Sequence, residues 1–288
     1  MIYDQATNLR RQVHSDHHAK EAKAISIVSG KGGVGKSNFA INFSLALIKQ
    51  NKKVLLIDLD IGMGNIDILL GLQAEYTIID VLNDRLSIQD MIETGPLGLS
   101  YIAGGSSLTE FFQLNREKMD YFLSQYHELA QLYDYIIFDI GAGVSTDSLF
   151  FILSSDECIV ITTPEPTAIT DAYSMIKHIT NRRHLPVHVV LNRCLNMKSG
   201  KQTLVRFQNV VSQFLNINIH SLGMIPEDKT VLKAVMRQTP YLLFNAKAPV
   251  SVAVEQIARL YVTQLYEPNQ RKPFSFIQRF KSVFKKGG

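Results

Sequence analysis

A chain of 288 residues that is 46% hydrophobic and 19% charged can bury a full core, which excludes a disordered or low-complexity scaffold and predicts one large domain or at most two. Its formal charge of +4 is unevenly placed, because residues 271–288 hold six cations and no acid, and subtracting those six leaves residues 1–270 at −2. Only two cysteines are present, Cys158 and Cys194, both inside apolar runs, so neither a disulfide framework nor a thiolate metal site is expected, and a reducing cytoplasm is.

Residues 1–23 are polar and lack the apolar segment of a secretory signal. No stretch nears the roughly 18 consecutive apolar residues that span a bilayer, so membrane contact is expected to be peripheral. Short apolar runs follow at 24–30, 54–60, 99–105, 135–141, 158–164, 187–193 and 217–226. Between them lie segments long enough for helices, at 36–50, 115–132, 167–180 and 202–215. Repeated strand, helix, strand order with strands apolar on both sides predicts an α/β fold, a doubly wound and mostly parallel sheet with helices on both faces. Residues 24–266 read as one domain, flanked by appendages at 1–23 and 267–288.

Directly after the first run, residues 30–37 read GKGGVGKS, which fits G-x-x-x-x-G-K-[ST] at every fixed position. Between a strand and a helix such glycines let backbone amides turn toward a polyphosphate, Lys36 reaches its β and γ groups, and the Ser37 hydroxyl serves Mg²⁺. Lys31 is a second lysine in the loop, unnecessary for holding one nucleotide. The run at 54–60 ends in Asp58 and Asp60, two carboxylates on one side of a strand at its C-terminal end. One acid there can serve the magnesium shell while the other orients the attacking water, or the pair can cap the next helix. Residues 135–139 read YIIFD, four apolar or aromatic residues feeding one acid, the Walker B pattern, with Gly141 just beyond. Asn192 ends the run at 187–193, where it suits either a base edge or a turn. The absence of an NKxD run after it favours ATP over GTP.

After Pro273 the tail places Phe276, Ile277, Phe280, Val283 and Phe284 on one helical stripe, preceded by Phe274, with Lys281 and Lys285 between them. This pattern suits a basic amphipathic helix in a headgroup layer, with a last core helix and a nucleic-acid arm as competing readings.

With Lys31 beside a complete P-loop, the loop resembles the deviant Walker A motif of the MinD/ParA family of ATPases, and residues 58–67 (DLDIGMGNID) resemble that family's switch I. The resemblance implies an Mg²⁺-dependent ATPase that forms an ATP-bound homodimer, with Lys31 reaching across to the partner's nucleotide. It implies a catalytic set of Lys31, Lys36 and Asp60, with Asp60 positioning water. The nucleotide cradle is Gly32, Gly33, Val34, Gly35, Lys36, Ser37 and Asn38, with Asn192, Pro226, Glu227 and Asp228 near the base. Metal binding falls to Ser37, Asp58 and Asp139, and Gly141 in switch II senses the γ-phosphate. Residues 4–10 (DQATNLR) match the DQAxxLR motif of the family's flagellar branch, FlhG or YlxH, in which Asp4, Gln5, Ala6, Leu9 and Arg10 stimulate FlhF, a signal-recognition-particle-like GTPase. A bare polar extension is the bland alternative for this arm. The branch implies control of flagellar number and placement, flagellar C-ring (switch) proteins as partners, and a terminal helix that binds an anionic membrane. In that reading Phe274, Phe276, Ile277, Phe280, Phe284, Lys281 and Lys285 contact lipid, and the protein is cytoplasmic but peripheral to the inner face of the cell membrane when ATP-bound. A MinD-type division regulator, a ParA-type ATPase binding DNA without sequence preference, and an adaptor using nucleotide only structurally remain as alternatives.

Overall fold

The structure is a computed structural model that describes residues 21–60, 64–80, 87–105, 115–143, 145–264 and 275–287. The arm residues Asp4, Gln5, Ala6, Leu9 and Arg10, and Phe274, lie outside the described residues. Eight strands form one sheet: β1 Lys23–Val28, β2 Val54–Leu59, β3 Glu93–Thr94, β4 Ser100–Ile102, β5 Tyr135–Ile140, β6 Glu157–Thr162, β7 Val187–Cys194 and β8 His220–Pro226. Their order is β3-β4-β2-β5-β1-β6-β7-β8, and every pairing is parallel except β3 with β4.

Alternate residues of each strand enter different cores. On one face Ile25, Ile27, Leu56, Ile137 and Ile159 pack against helices α1 (Lys36–Ile48), α7 (Lys229–Met236), α8 (Tyr241–Phe244) and α9 (Pro249–Gln264). On the other, Leu55, Ile57, Ile136, Phe138 and Val160 pack against α3 (Arg116–Leu132), α4 (Thr146–Ser154), α5 (Pro166–Thr180) and α6 (Met197–Leu215). Burial on both sides is why the strands read as unbroken apolar runs. A short helix, α2 (Ile66–Leu70), follows switch I.

In the described state the apolar stripe of the C-terminal helix α10 (Phe276–Gly287), expected to face lipid, is packed on protein. Phe276 and Phe280 are buried, and Ile277, Val283 and Phe284 pack against the same core. Phe280 stacks at an angle among Phe122 of α3 and Phe150 and Phe151 of α4. Lys281 and Lys285 point to solvent. Arg279, on the docked side, donates from Nε to the Ser154 carbonyl at 2.7 Å and pairs with Asp156 at 2.7 Å. The period specifies a buried face, and here protein buries it.

At the opposite end of the sheet from the P-loop, Glu157 is buried between Lys23, with which it pairs, His188 Nε2 at 3.1 Å and the Tyr261 hydroxyl at 2.8 Å. Burial alone would raise its carboxyl, but the His188 hydrogen bond and the Lys23 charge outweigh that and hold it at about 2, against an ordinary value of 4.5. A depressed carboxylate stabilises the fold above its unfolded value and loses that contribution as pH falls. Stability is therefore expected to drop between pH 4.5 and 2, by about 3 kcal/mol from this group. Glu157→Gln should remove that slope, read from urea midpoints across the pH range; parallel curves for the two proteins would refute the assignment.

Candidate functional site

The sheet brings the C-terminal ends of β1, β2 and β5 together, and the P-loop leaves β1 at this edge, where parallel α/β sheets bind ligands. Gly35 caps α1 with φ 92°, a left-handed conformation that a side chain resists, and no acid sits in the first turn, so the helix N-terminus presents positive potential. A Cβ on Gly35 would lie 2.5 Å from Asn192, and one on Gly30 would lie 2.3 Å from the Asp171 backbone of α5. The loop is therefore clamped on both flanks. Gly32 and Gly33 are exposed at its crest, Val34 is buried beneath, and Ser37 and Asn38 open the helix.

Lys36, only 6% exposed, points inward and pairs with Asp139 at 2.6 Å. Asp139 is fully buried, and its second oxygen has no protein partner among the described residues. In the β2–β5 register Asp58 lies directly beside Asp139. Asp58 is fixed by the amides of Asp60 at 2.9 Å, Asn65 at 3.0 Å and Ile66 at 3.3 Å, which donate to its two oxygens. Gly104 and Gly64 close over it, since a Cβ at either would come within 2.9–3.0 Å of the carboxylate. This geometry makes Asp58 an organiser of the loop after β2. Burial, then the neighbouring charge of Asp139, raise its carboxyl to about 7.

Asp60 is half-buried at the end of β2, and a Cβ on Gly141 would meet its Oδ1 at 2.9 Å. Switch I and switch II thus touch at an acid and a glycine. Burial is the main cause raising the Asp60 carboxyl; Lys36 opposes it and Asp139 adds to it. The Gly143 amide donates to the Ser29 carbonyl at 3.2 Å, hooking switch II onto the root of the P-loop.

Lys31 takes the opposite direction from Lys36. Its ammonium lies at the surface, 2.8 Å from Glu165 and 3.1 Å from the Thr167 hydroxyl at the start of α5. That bond and charge hold the exposed Glu165 carboxyl below its usual range. Glu165 and Thr167 had no local signal in the sequence, nor had Thr162 and Thr163, whose buried hydroxyls at the end of β6 have no partner among the described residues.

The residues expected near the base are held by the protein's own backbone. Asn192 donates to the Val34 carbonyl at 2.8 Å and accepts from the Arg193 amide at 2.9 Å, bracing the P-loop. Asp228 caps α7 through the Thr230 amide at 2.8 Å and accepts from Val250 at 3.4 Å, so its carboxylate is occupied by backbone. Pro226 ends β8, and the exposed Glu227 ties that strand end to the Cys194 carbonyl through its amide at 3.1 Å. Asn192 is the one of the four with a hydrogen bond that reaches the P-loop among the described residues.

Residues 22–192 match a family model described as an AAA domain. The flagellum site-determining protein YlxH of Helicobacter pylori is 33% identical over 266 residues, covering 91% of this chain and 89% of that protein. The antiactivator FleN of Pseudomonas aeruginosa is 30% identical over 239 residues, covering 82% of this chain and 85% of that protein. The solved MinD cell division protein of Aquifex aeolicus superposes with a TM-score of 0.69 at 26% identity, covering 87% of this chain and all of that one. With one lysine of the loop buried on the Walker B acid and the other at the surface, on a doubly wound parallel sheet, the chain belongs to the MinD/ParA family of P-loop ATPases.

Proposed function

We propose that this chain is an Mg²⁺-dependent ATP hydrolase that dimerises face to face when ATP is bound and uses that cycle to regulate flagellar number and placement. The observation that carries the reading is the division of labour between the two lysines. Lys36 is inside, where a β,γ-phosphate would replace Asp139 as its partner. Lys31 is outside, held by Glu165 where a second subunit can reach it.

Mg²⁺ supplies charge neutralisation at the phosphate oxygens, and the groups that fit it are the Ser37 hydroxyl and the unpaired oxygen of Asp139. Among the described residues no cluster of three or more His, Cys, Asp or Glu forms a metal cage, consistent with a shell shared with phosphate and water. Asp60 accepts a hydrogen bond from the attacking water, and the Gly141 amide beside it donates toward the γ-phosphate. The flagellar role is carried over from the YlxH relative, and an FlhF-like GTPase and flagellar C-ring proteins are the partners proposed for this chain. Membrane binding requires α10 to leave the core, because its apolar stripe is occupied in the described state. No described helix is long and apolar enough to cross a membrane.

The test is light scattering after size exclusion in the Asp60→Ala background, which prevents turnover during the run. The chain should elute as a monomer with ADP and a dimer with ATP, and adding Lys31→Ala should return the ATP form to monomer while ATP binding persists. A dimer insensitive to Lys31→Ala, or no dimer with ATP at all, would refute the reading.

A further inference from the structure

At the end of the sheet away from the P-loop, three adjacent strands each bring one polar side chain to the same face: Glu157 on β6, His188 on β7 and His220 on the edge strand β8. His188 and His220 are partners in the parallel β7–β8 register, and their rings lie 5.6 Å apart at 39°. Glu157 gives Oε1 to Lys23, while its Oε2 accepts from the Tyr261 hydroxyl at 2.8 Å and meets His188 Nε2 at 3.1 Å. The other ring nitrogen of His188, Nδ1, is buried and has no hydrogen-bond partner among the described residues.

Glu157 is ionised at neutral pH, so the hydrogen between its Oε2 and His188 Nε2 belongs to the imidazole. That tautomer leaves a lone pair on Nδ1, whereas protonating His188 would bury a second N–H without an acceptor. The two nitrogens of an imidazole face nearly opposite sides, so with Nε2 turned to β6 the lone pair faces β8, the strand of His220. A carboxylate on one nitrogen and a lone pair on the other is the arrangement of metal-binding histidines. Two imidazole nitrogens each about 2.1 Å from one ion would set their ring centroids about 5 Å apart, close to the separation seen. His220 is exposed, so its ring can turn a nitrogen to the same point and water can take the remaining positions. Two protein ligands do not make a cage of three, and none occurs among the described residues.

We infer that His188 Nδ1 and a ring nitrogen of His220 bind a late divalent transition metal, with Glu157 as the positioning residue that fixes the His188 tautomer. Imidazole donors select Zn²⁺, Ni²⁺ or Cu²⁺ over the oxygen-seeking Mg²⁺ and Ca²⁺. The ion clips the edge strand to β7 at a rung that precedes two register shifts, between Val189 and Val190 and between Leu191 and Cys194. The inference rests on neither the ATP cycle nor the flagellar reading.

The experiment titrates the full chain with Zn²⁺ against a chromophoric chelator in excess Mg²⁺. Wild type should hold one Zn²⁺ whose affinity falls at least tenfold in His220→Ala, an exposed substitution expected to leave the metal-free melting temperature unchanged. Glu157→Gln should weaken the same ion by about 10–100-fold, the usual effect of losing the carboxylate behind a histidine ligand. Both variants should bind ADP as wild type does. Zn²⁺ should slow amide exchange across 187–190 and 219–223 in wild type and not in His220→Ala. The inference is overturned if His220→Ala holds Zn²⁺ as tightly as wild type, which would give the metal to other groups such as His14, His17 and His18 of the N-terminal arm. It is equally overturned if wild type binds no Zn²⁺, if the slowed amides lie elsewhere, or if Glu157→Gln leaves the affinity intact.

Discussion

Replacing Asp60 by alanine is expected to slow ATP turnover by about 10²–10⁴-fold, the range lost when a positioned proton acceptor is removed, while leaving a chain that binds ATP and pairs with itself. The geometry separates these two properties. The Asp60 amide is tied to Asp58 and its carboxylate abuts Gly141. Removing the carboxylate therefore leaves the phosphate cradle, Lys36 and Lys31 in place. The loss should appear in kcat, with KM little changed, as for an interaction made only in the transition state. Gly141→Ala should lower kcat in the same direction with Asp60 intact, because the added methyl would lie 2.9 Å from Oδ1 and push the acid aside. Asp58→Asn should differ from both. It weakens the acceptor for three amides of the loop after β2, so it should raise KM and lower thermal stability. The measurement is steady-state phosphate release with Mg²⁺ and ATP, run beside an ATP-binding assay on each variant. Wild-type turnover in Asp60→Ala would remove that residue from the chemistry.

The parallel sheet was legible because strands buried on both faces leave continuous apolar runs, and the P-loop because its glycines, lysine and serine sit at fixed spacing between a strand and a helix. Asp58 and Asp139 were visible as acids ending two such runs, but their adjacency is a property of the β2–β5 register, which no local pattern encodes. Glu165 was missed for a similar reason, being 134 residues from Lys31. Helix α6 starts at Met197 and not near 202, and a local signal for that was available: the Asn196 side chain accepts from the Lys198 and Ser199 amides as an N-cap. Helix α4 is nine residues long and opens with the Ser145–Ser148 capping box directly after switch II, too short for periodicity to stand out. The tail is the instructive case. Amphipathic spacing specifies that a face is buried but not by what, and the aromatic shell that receives α10 lies on helices more than 120 residues upstream.

Asp156→Ala is expected to release α10 from the core without altering a single residue of its apolar stripe. Asp156 accepts from Arg279 at 2.7 Å, and Arg183 stands close by, donating to the carbonyls that end α4. Burial, and then the charge of Arg279, lower the Arg183 guanidinium to about 10. Two cations therefore depend on one carboxylate, and removing one partner of a buried pair costs about 3–5 kcal/mol. Docking of Phe276 and Phe280, both essentially out of water, contributes about 3–6 kcal/mol, so the two quantities are of the same size and the helix can relieve Arg279 by leaving. The expected result is rapid amide exchange across 276–287 and binding to anionic vesicles without ATP, at least tenfold above wild type. Asp156 also accepts from the Ala24 amide at 2.8 Å, so some general destabilisation accompanies the change. A chain ending at residue 268 with the same substitution separates the two effects: it should bind ADP and leave vesicles alone. Release without vesicle binding would make α10 a structural helix only. Unchanged exchange across 276–287 would mean that the aromatic contacts and the Arg279–Ser154 hydrogen bond hold it without the ion pair, and ATP-driven release would then have to overcome the whole docking energy at α4, the helix that switch II leads into.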